Sequence, residues 1–321
     1  LNTHISILNT QYSILNTKLM QSTSNILMIR PVAFGFNPQT EGNNFEHLPE
    51  KGNVQERALT EFNQFVKVLR LNHIHVIVIE DTLKPHTPDS IFPNNWVSFH
   101  EDGSVYVYPM QAENRRNERR DDILDVLSAQ FNIKEINDLT FTEDREEYLE
   151  GTGSMVLDRD YKIAYACRSI RTHPNVLAIF CKESGYQAIS FNAVDKAGLP
   201  IYHTNVMMCV ASKFVVICLE SIPDLTERAT LVDSFKNTNK QIIEISFEQM
   251  NNFAGNMLEV KNTLGQTFLV MSQSAKECLN SEQTFLINKY AQILSSPIPT
   301  IEKIGGGSAR CMMAEIFLEK I

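Results

Sequence analysis

His203-Thr204-Asn205-Val206-Met207-Met208-Cys209-Val210 begins polar and runs into apolar residues suited to a buried strand. Residues 214–219 read as a second strand, 225–237 as a helix and 242–245 as a further strand. This ββαβ order decides the fold because it recurs. Similar openings stand at Pro93-Asn94-Asn95-Trp96-Val97, Glu150-Gly151-Thr152-Gly153-Ser154-Met155-Val156, Ala254-Gly255-Asn256-Met257-Leu258 and Ser308-Ala309-Arg310-Cys311-Met312-Met313. With Asn95, Gly153, Asn205, Asn256 and Arg310 as equivalents, the successive gaps are 58, 52, 51 and 54 residues. A fixed period of about 50 residues marks circular or solenoid repetition. Second strands follow the first four openings, at 105–108, 163–167, 214–219 and 268–271. The fifth copy ends after its first strand, and a strand at 26–29 is placed to complete it. The expectation is an α/β fold of five units closed through the N-terminal strand. It forms one domain over residues 25–321, with the polar openings around one axis.

The 321-residue chain is 43% hydrophobic and 21% charged, with a net charge of −9. That balance fits a globular protein with a sizeable core and argues against nucleic acid or an anionic membrane surface as a partner. No apolar run reaches the ~20 residues of a membrane helix. Six cysteines form no CxxC pair and no zinc-type spacing. They point to free thiols in a reducing, cytoplasmic setting and to no metal. Residues 1–24 read as a disordered tail, in which Leu-Asn-Thr recurs at 1, 8 and 15 with neither an apolar face nor the organisation of a signal peptide. Met20 is the first methionine, and a natural start there is expected. Residues 56–71 have helical periodicity with Leu59, Phe62, Phe65, Val66 and Leu69 on one side, and 75–80 read as a strand. The polar stretch 35–47 reads as a loop, with 35–52 a candidate lid. A homo-oligomer is left open.

The openings gather reactive groups. Gly305-Gly306-Gly307-Ser308-Ala309-Arg310-Cys311 sets a cysteine just past glycines that let the backbone approach a ligand and take positive φ. A free cysteine is ordinarily a buried, inert residue. Here other openings add His203, Glu150, Asn95 and Asn205. A thiolate is a good nucleophile when it is accessible, and imidazole moves protons near neutral pH. A carboxylate either fixes the imidazole tautomer or accepts a substrate N–H. Singly, His203 reads as a core histidine and Glu150 as part of a solvated acidic stretch. At matching positions of a repeat they read as one site.

Phe92-Pro93-Asn94-Asn95-Trp96, Leu149-Glu150-Gly151-Thr152-Gly153-Ser154, Tyr202-His203-Thr204-Asn205 and Gly307-Ser308-Ala309-Arg310-Cys311-Met312 resemble motifs of the amidinotransferase/arginine deiminase/dimethylargininase superfamily. The likeness is closest to its citrulline-utilisation branch, the citrulline ureidase type. It spans residues 26–321, with four motifs in the right order. It implies a five-bladed α/β propeller and covalent Cys–His–Glu chemistry on a ureido or guanidino carbon, without metal or organic cofactor. It implies Cys311 as nucleophile, His203 as general acid/base and Glu150 as active-site carboxylate. It also implies Arg171 and Arg116 as holders of a substrate α-carboxylate, with Arg115 an equal register for the latter, and Asp89 as a contact of the α-amino group.

Two departures bear on substrate. Guanidine-processing relatives usually carry an aspartate where Asn95 stands, and many carry another where Asn205 stands. A carboxylate pairs with a guanidinium cation, and such charge-assisted bonds are roughly twice as strong as neutral ones. An amide instead donates to an oxygen and accepts from an N–H, which suits a neutral ureido group. The expected small-molecule substrate is therefore L-citrulline, cleaved to ornithine, carbon dioxide and ammonia through an S-carbamoyl enzyme. Either the 305–307 loop or an asparagine amide would receive the oxyanion. The rival readings are an arginine deiminase, dimethylargininase or amidinotransferase on a guanidino substrate, and a non-catalytic amino-acid-binding protein. A nitrilase-type amidase ranks below them, since no lysine stands at an opening.

Overall fold

The computed structural model describes residues 20–40 and 53–321. Residues 1–19 and 41–52, which hold most of the expected tail and of the candidate lid, lie outside the described residues. The strands are β1 (Asn25–Arg30), β2 (His75–Glu80), β3 (Val97–Phe99), β4 (Ser104–Val107), β5 (Glu135–Asp138), β6 (Val156–Asp158), β7 (Ile163–Cys167), β8 (Gln187–Phe191), β9 (Met208–Val210), β10 (Phe214–Ile217), β11 (Gln241–Glu244), β12 (Leu258–Lys261), β13 (Thr267–Ser272), β14 (Gln292–Ser296) and β15 (Ala314–Glu315).

They form five three-stranded sheets of one pattern. In β3-β4-β5, β6-β7-β8, β9-β10-β11 and β12-β13-β14 the first pair is antiparallel and the second parallel. The fifth sheet runs β15-β1-β2, with β15 antiparallel to β1 and β1 parallel to β2. A tight turn can join an antiparallel pair, but a parallel pair needs a crossover. Helices Asp121–Ser128, Pro174–Ser184, Leu225–Asn237 and Val54–Leu71 supply four of these, and Gln273–Cys278 with Ser281–Asn288 the other. The repeat read from the sequence is thus present, and its last copy takes two strands from the N-terminal part of the chain. First strands of neighbouring sheets meet, β15 with β3, β6 with β9, and β9 with β12.

The longest crossover is anchored by an apolar stripe. In Val54–Leu71 the Asn53 side chain accepts the Glu56 N–H, and Ala58, Phe62, Phe65, Val66 and Leu69 are buried at three- and four-residue spacing. Leu59, expected on that face, is only half-buried. It follows Ala58 and so points about 100° round the helix from it.

The expected boundary at residue 24 needs correction. Gln21, Ser22 and Thr23 are buried. Gln21 Nε2 donates to Leu157 O at 2.9 Å and Val210 O at 3.0 Å, while Oε1 accepts from Arg159 N at 2.6 Å. Thr23 Oγ1 donates to Ile316 O at 2.8 Å, and Thr23 O accepts from Lys261 N at 3.1 Å. Buried backbone groups in and beside the strands must find partners, and these polar side chains provide them at β6, β9 and the residue after β15, with the Thr23 carbonyl doing so at β12. The polarity that reads as a tail is what the segment uses to bind. No helix among the described residues is long and apolar enough to cross a membrane.

Candidate active site

The openings are bonded one to the next. Thr152 Oγ1 donates to Asn94 O at 3.3 Å, and Thr204 Oγ1 to Ser154 O at 2.6 Å. Asn256 Nδ2 donates to Asn205 O at 3.0 Å, and Arg310 N to Asn256 Oδ1 at 3.0 Å. This chain of contacts draws residues 95 to 311 together. The cleft it leaves is lined by Asp89, Asn95, Arg115, Arg171, His203 and Cys311, together with Phe92, Tyr202 and the glycines at 305–307.

Cys311 Sγ faces two amide donors, Asn256 Nδ2 at 3.2 Å and Asn205 Nδ2 at 3.5 Å. Donors of this kind steady negative charge on sulfur. Burial pushes the thiols of Cys167, Cys181, Cys218 and Cys278 up to about 11 and that of Cys209 up to about 12, so they stay protonated.

His203 Nε2 lies 2.7 Å from Glu150 Oε2, and Glu150 Oε1 accepts the Gln111 N–H at 3.0 Å. Both side chains are buried. Burial pushes the Glu150 carboxyl up, but Arg171, the bond from His203 and Arg115 outweigh it and hold it at about 2. A carboxylate has no proton to give, so the proton in this pair sits on His203 Nε2 and Nδ1 is left as the acceptor. Burial lowers the His203 pKa against the opposing pull of Glu150, which keeps the ring neutral near pH 7. Gly153 makes the room in front of it. A Cβ there would stand 2.3 Å from Asn95 Nδ2 and 2.9 Å from His203 Nδ1.

Arg171 Nη1 stands 3.8 Å from Glu150 Oε2, and the guanidinium lies 5.1 Å over the Tyr202 ring. Asp89 Oδ2 accepts from Asn37 Nδ2 at 2.7 Å, while Oδ1 is buried without a partner. Asn95 Nδ2 and Asn205 Oδ1 are likewise buried and unpartnered.

Arg115, not Arg116, lines this cleft. Arg116 turns away, with Nε donating to Met110 O at 3.1 Å and lying 3.4 Å from Glu143 Oε2. Both belong to the 3₁₀ turn Glu113–Glu118, where one residue is about 120° of rotation, so an Arg-Arg pair does not show which member points inward. Of the two expected sources of an oxyanion donor, the glycine loop has one N–H already committed. Gly306 N–H donates to Glu302 O at 3.1 Å, and a Cβ on Gly305 or Gly307 would come within 2.9 or 2.8 Å of the Phe92 ring. These glycines serve close packing, and the amide donors at sulfur come from Asn256 and Asn205. Asn256 was read only as a repeat opening. Its equivalence to Asn95 and Asn205 was the signal that it belongs in the site. No group of three or more His, Cys, Asp or Glu able to hold a metal occurs among the described residues.

Five like sheets around a cysteine, a histidine–carboxylate pair and buried arginines define the amidinotransferase/dimethylargininase class. The chain belongs to the family described as N,N dimethylarginine dimethylhydrolase, eukaryotic, whose sequence model matches residues 30–318. No curated protein matches it. Among solved structures, the substrate-bound N-terminal domain of ArgZ, an arginine dihydrolase from the ornithine-ammonia cycle in cyanobacteria, is 17% identical, with a TM-score of 0.71 over 92% of this chain and 99% of that one. Unliganded AgrE is 18% identical, with a TM-score of 0.71 over 91% of this chain. DDAH from Pseudomonas aeruginosa, in complex with citrulline, is 16% identical, with a TM-score of 0.65 over 92% of this chain and 100% of that one. This chain spans 41% of full-length ArgZ and 39% of AgrE. At these identities the likeness is one of fold.

Proposed function

We propose that the chain is a cysteine hydrolase that cleaves the ureido group of L-citrulline, built as an α/β propeller with the five sheets as blades. The observation that carries this reading is the pair of buried, unpartnered atoms Asn95 Nδ2 and Asn205 Oδ1. One donor and one acceptor match the C=O and N–H of a neutral ureido group, whereas a guanidinium offers donors alone. Leaving a buried polar group unpaired costs about 1–3 kcal/mol, which sets the scale of the selection.

In the mechanism, His203 enters neutral and takes the Cys311 thiol proton at Nδ1. The sulfur attacks the ureido carbon, and the carbonyl electron pair moves onto oxygen beside the amide donors. Collapse breaks the bond to the δ-nitrogen, which leaves as ornithine with the proton from His203. The S-carbamoyl enzyme remains. His203 then takes a proton from water, the hydroxide adds to the carbamoyl carbon, and the C–S bond breaks with return of the proton to sulfur. The released carbamate decomposes to carbon dioxide and ammonia. Arg171 holds the substrate carboxylate, Asp89 Oδ1 accepts from the α-ammonium, and Glu150 keeps His203 in its tautomer.

The test is to supply citrulline, arginine, methylated arginines and agmatine separately to the purified protein and to quantify ornithine, citrulline and ammonia. Ornithine and ammonia from citrulline, with arginine inert, is the expected result. Citrulline formed from arginine or a methylated arginine would replace this reading with a guanidino one, which the family match favours.

A further inference from the structure

The selection between ureido and guanidino groups depends on which end of the Asn95 amide faces the cleft, and the residue that sets this is Arg115. Arg115 Nη1 donates to Asn95 Oδ1 at 3.0 Å. A guanidinium has five N–H donors and no acceptor, so the end of the amide that meets it is the oxygen. The guanidinium cannot swing to release that constraint. Its Nε and Nη2 donate to the two oxygens of Glu118 at 2.9 Å each, and Nη2 also reaches Phe92 O at 3.4 Å. Arg115 and Glu118 are only 3% and 2% exposed, so water does not compete for these bonds. With the oxygen occupied, Asn95 is left with its NH₂ over Gly153, buried, unpartnered and facing the space shared with His203 Nδ1.

We propose that Arg115 is a positioning residue for substrate selection, holding Asn95 so that the site presents an N–H donor to an oxygen on the reacting carbon. The Arg115–Glu118 fork makes the donor face of Asn95 permanent. A guanidinium N–H at the same place would meet a donor. This rests on the ureido reading above, because a donor face is useful only to a substrate that carries an oxygen there.

The experiment is a double-mutant cycle between Arg115 and Asn95, read as kcat/KM for citrulline and as the citrulline-to-arginine ratio. The variants are Arg115→Lys, Asn95→Ala and their combination. Lysine keeps a charge near Glu118 but loses the planar fork. Arg115→Lys is expected to lower citrulline kcat/KM by about 10–100-fold in the Asn95 protein and to lower the ratio. In the Asn95→Ala background the same change should cost less than about 3-fold, because no amide is left to orient. A purely structural role would give the same loss in both backgrounds, and that result overturns the proposal. If Arg115→Lys does not fold, Arg115→Met with Glu118→Met removes the donor together with the carboxylate that grips it, leaving Asp89, 3.8 Å from Arg115 Nε, as a carboxylate that also loses its cation, and the cycle is repeated on that pair. Citrulline inert on the unmodified protein overturns the ureido reading and this proposal together. Citrulline turned over, with the Arg115 loss undiminished by Asn95→Ala, overturns this proposal alone.

Discussion

Glu150→Gln should cost the protein both stability and rate, for reasons that can be separated by pH. Glu150 uses its two oxygens as acceptors, one for His203 Nε2–H and one for Gln111 N–H. Glutamine has one acceptor, so one of these bonds is lost whichever way the amide turns. The charge is lost as well. The Glu150 carboxyl is held at about 2 against an ordinary value of 4.5. At about 1.4 kcal/mol per unit, the ionised form adds about 3 kcal/mol to folding at pH 7. Its folded pKa is depressed, so this contribution is present above pH 4.5 and is lost as the pH falls towards 2. The variant, which resembles a permanently protonated Glu150, should melt about 4–6 °C below the parent at pH 7. The gap should close progressively below pH 4.5. Turnover at pH 7 should fall by about 10²–10⁴-fold, because His203 no longer has a carboxylate to fix its tautomer. Thermal melts of both proteins from pH 7 to pH 3, with steady-state rates at pH 7, make the measurement. Equal melting temperatures at pH 7, or a gap that is as large at pH 3, would refute the electrostatic account.

Cys311→Ser should abolish turnover by more than about 10⁴-fold with the melting temperature within about 2 °C, since the hydroxyl keeps the packing but is a far weaker nucleophile; measurable steady-state activity would remove Cys311 from the nucleophile's role. Gly153→Ala inserts a methyl 2.3 Å from Asn95 Nδ2 and 2.9 Å from His203 Nδ1, and kcat/KM should drop by about 100-fold or more. An unchanged rate there would mean that the space over Gly153 is not where substrate reacts. Gln21→Ala leaves Leu157 O, Val210 O and Arg159 N without their side-chain partner. The expected cost is about 1–3 kcal/mol in urea melts, with KM unchanged; a neutral substitution would show that the 20–24 segment does not clamp the sheets.

The repeat was legible because its signals are local. Polar openings, apolar strands and amphipathic helices at a fixed period follow from each residue's own preferences, and the observed β15-β1-β2 sheet needs nothing more than the period to be inferred. Cys311, His203 and Glu150 could be grouped for the same reason, since each stands in an opening and the openings of a closed repeat converge. What failed depends on rotation or on partners. Arg115 and Arg116 have the same chemistry, and one step along a 3₁₀ turn separates the cleft from the rim. Gln21 and Thr23 carry no sign in sequence that their partners lie in and beside strands more than a hundred residues away. That Gly306 spends its N–H on Glu302 O, leaving asparagine amides as the donors beside sulfur, is a fact of folding, not of composition.

The pairing of Ile26 with Glu315 and Leu27 with Ala314 also sets a timetable. On the ribosome, β1 finds β2 within about 50 residues of synthesis, yet its other edge stays bare until β15 emerges. Through that interval the nascent protein carries an open strand edge, the kind of surface that recruits other chains. Refolding in the test tube faces the same long wait as a search, since contacts this distant in sequence form late and slowly. A circular permutant cut in the surface turn between β8 and β9, with the present ends joined by a flexible linker, makes that pairing local and should refold faster to the same sheets.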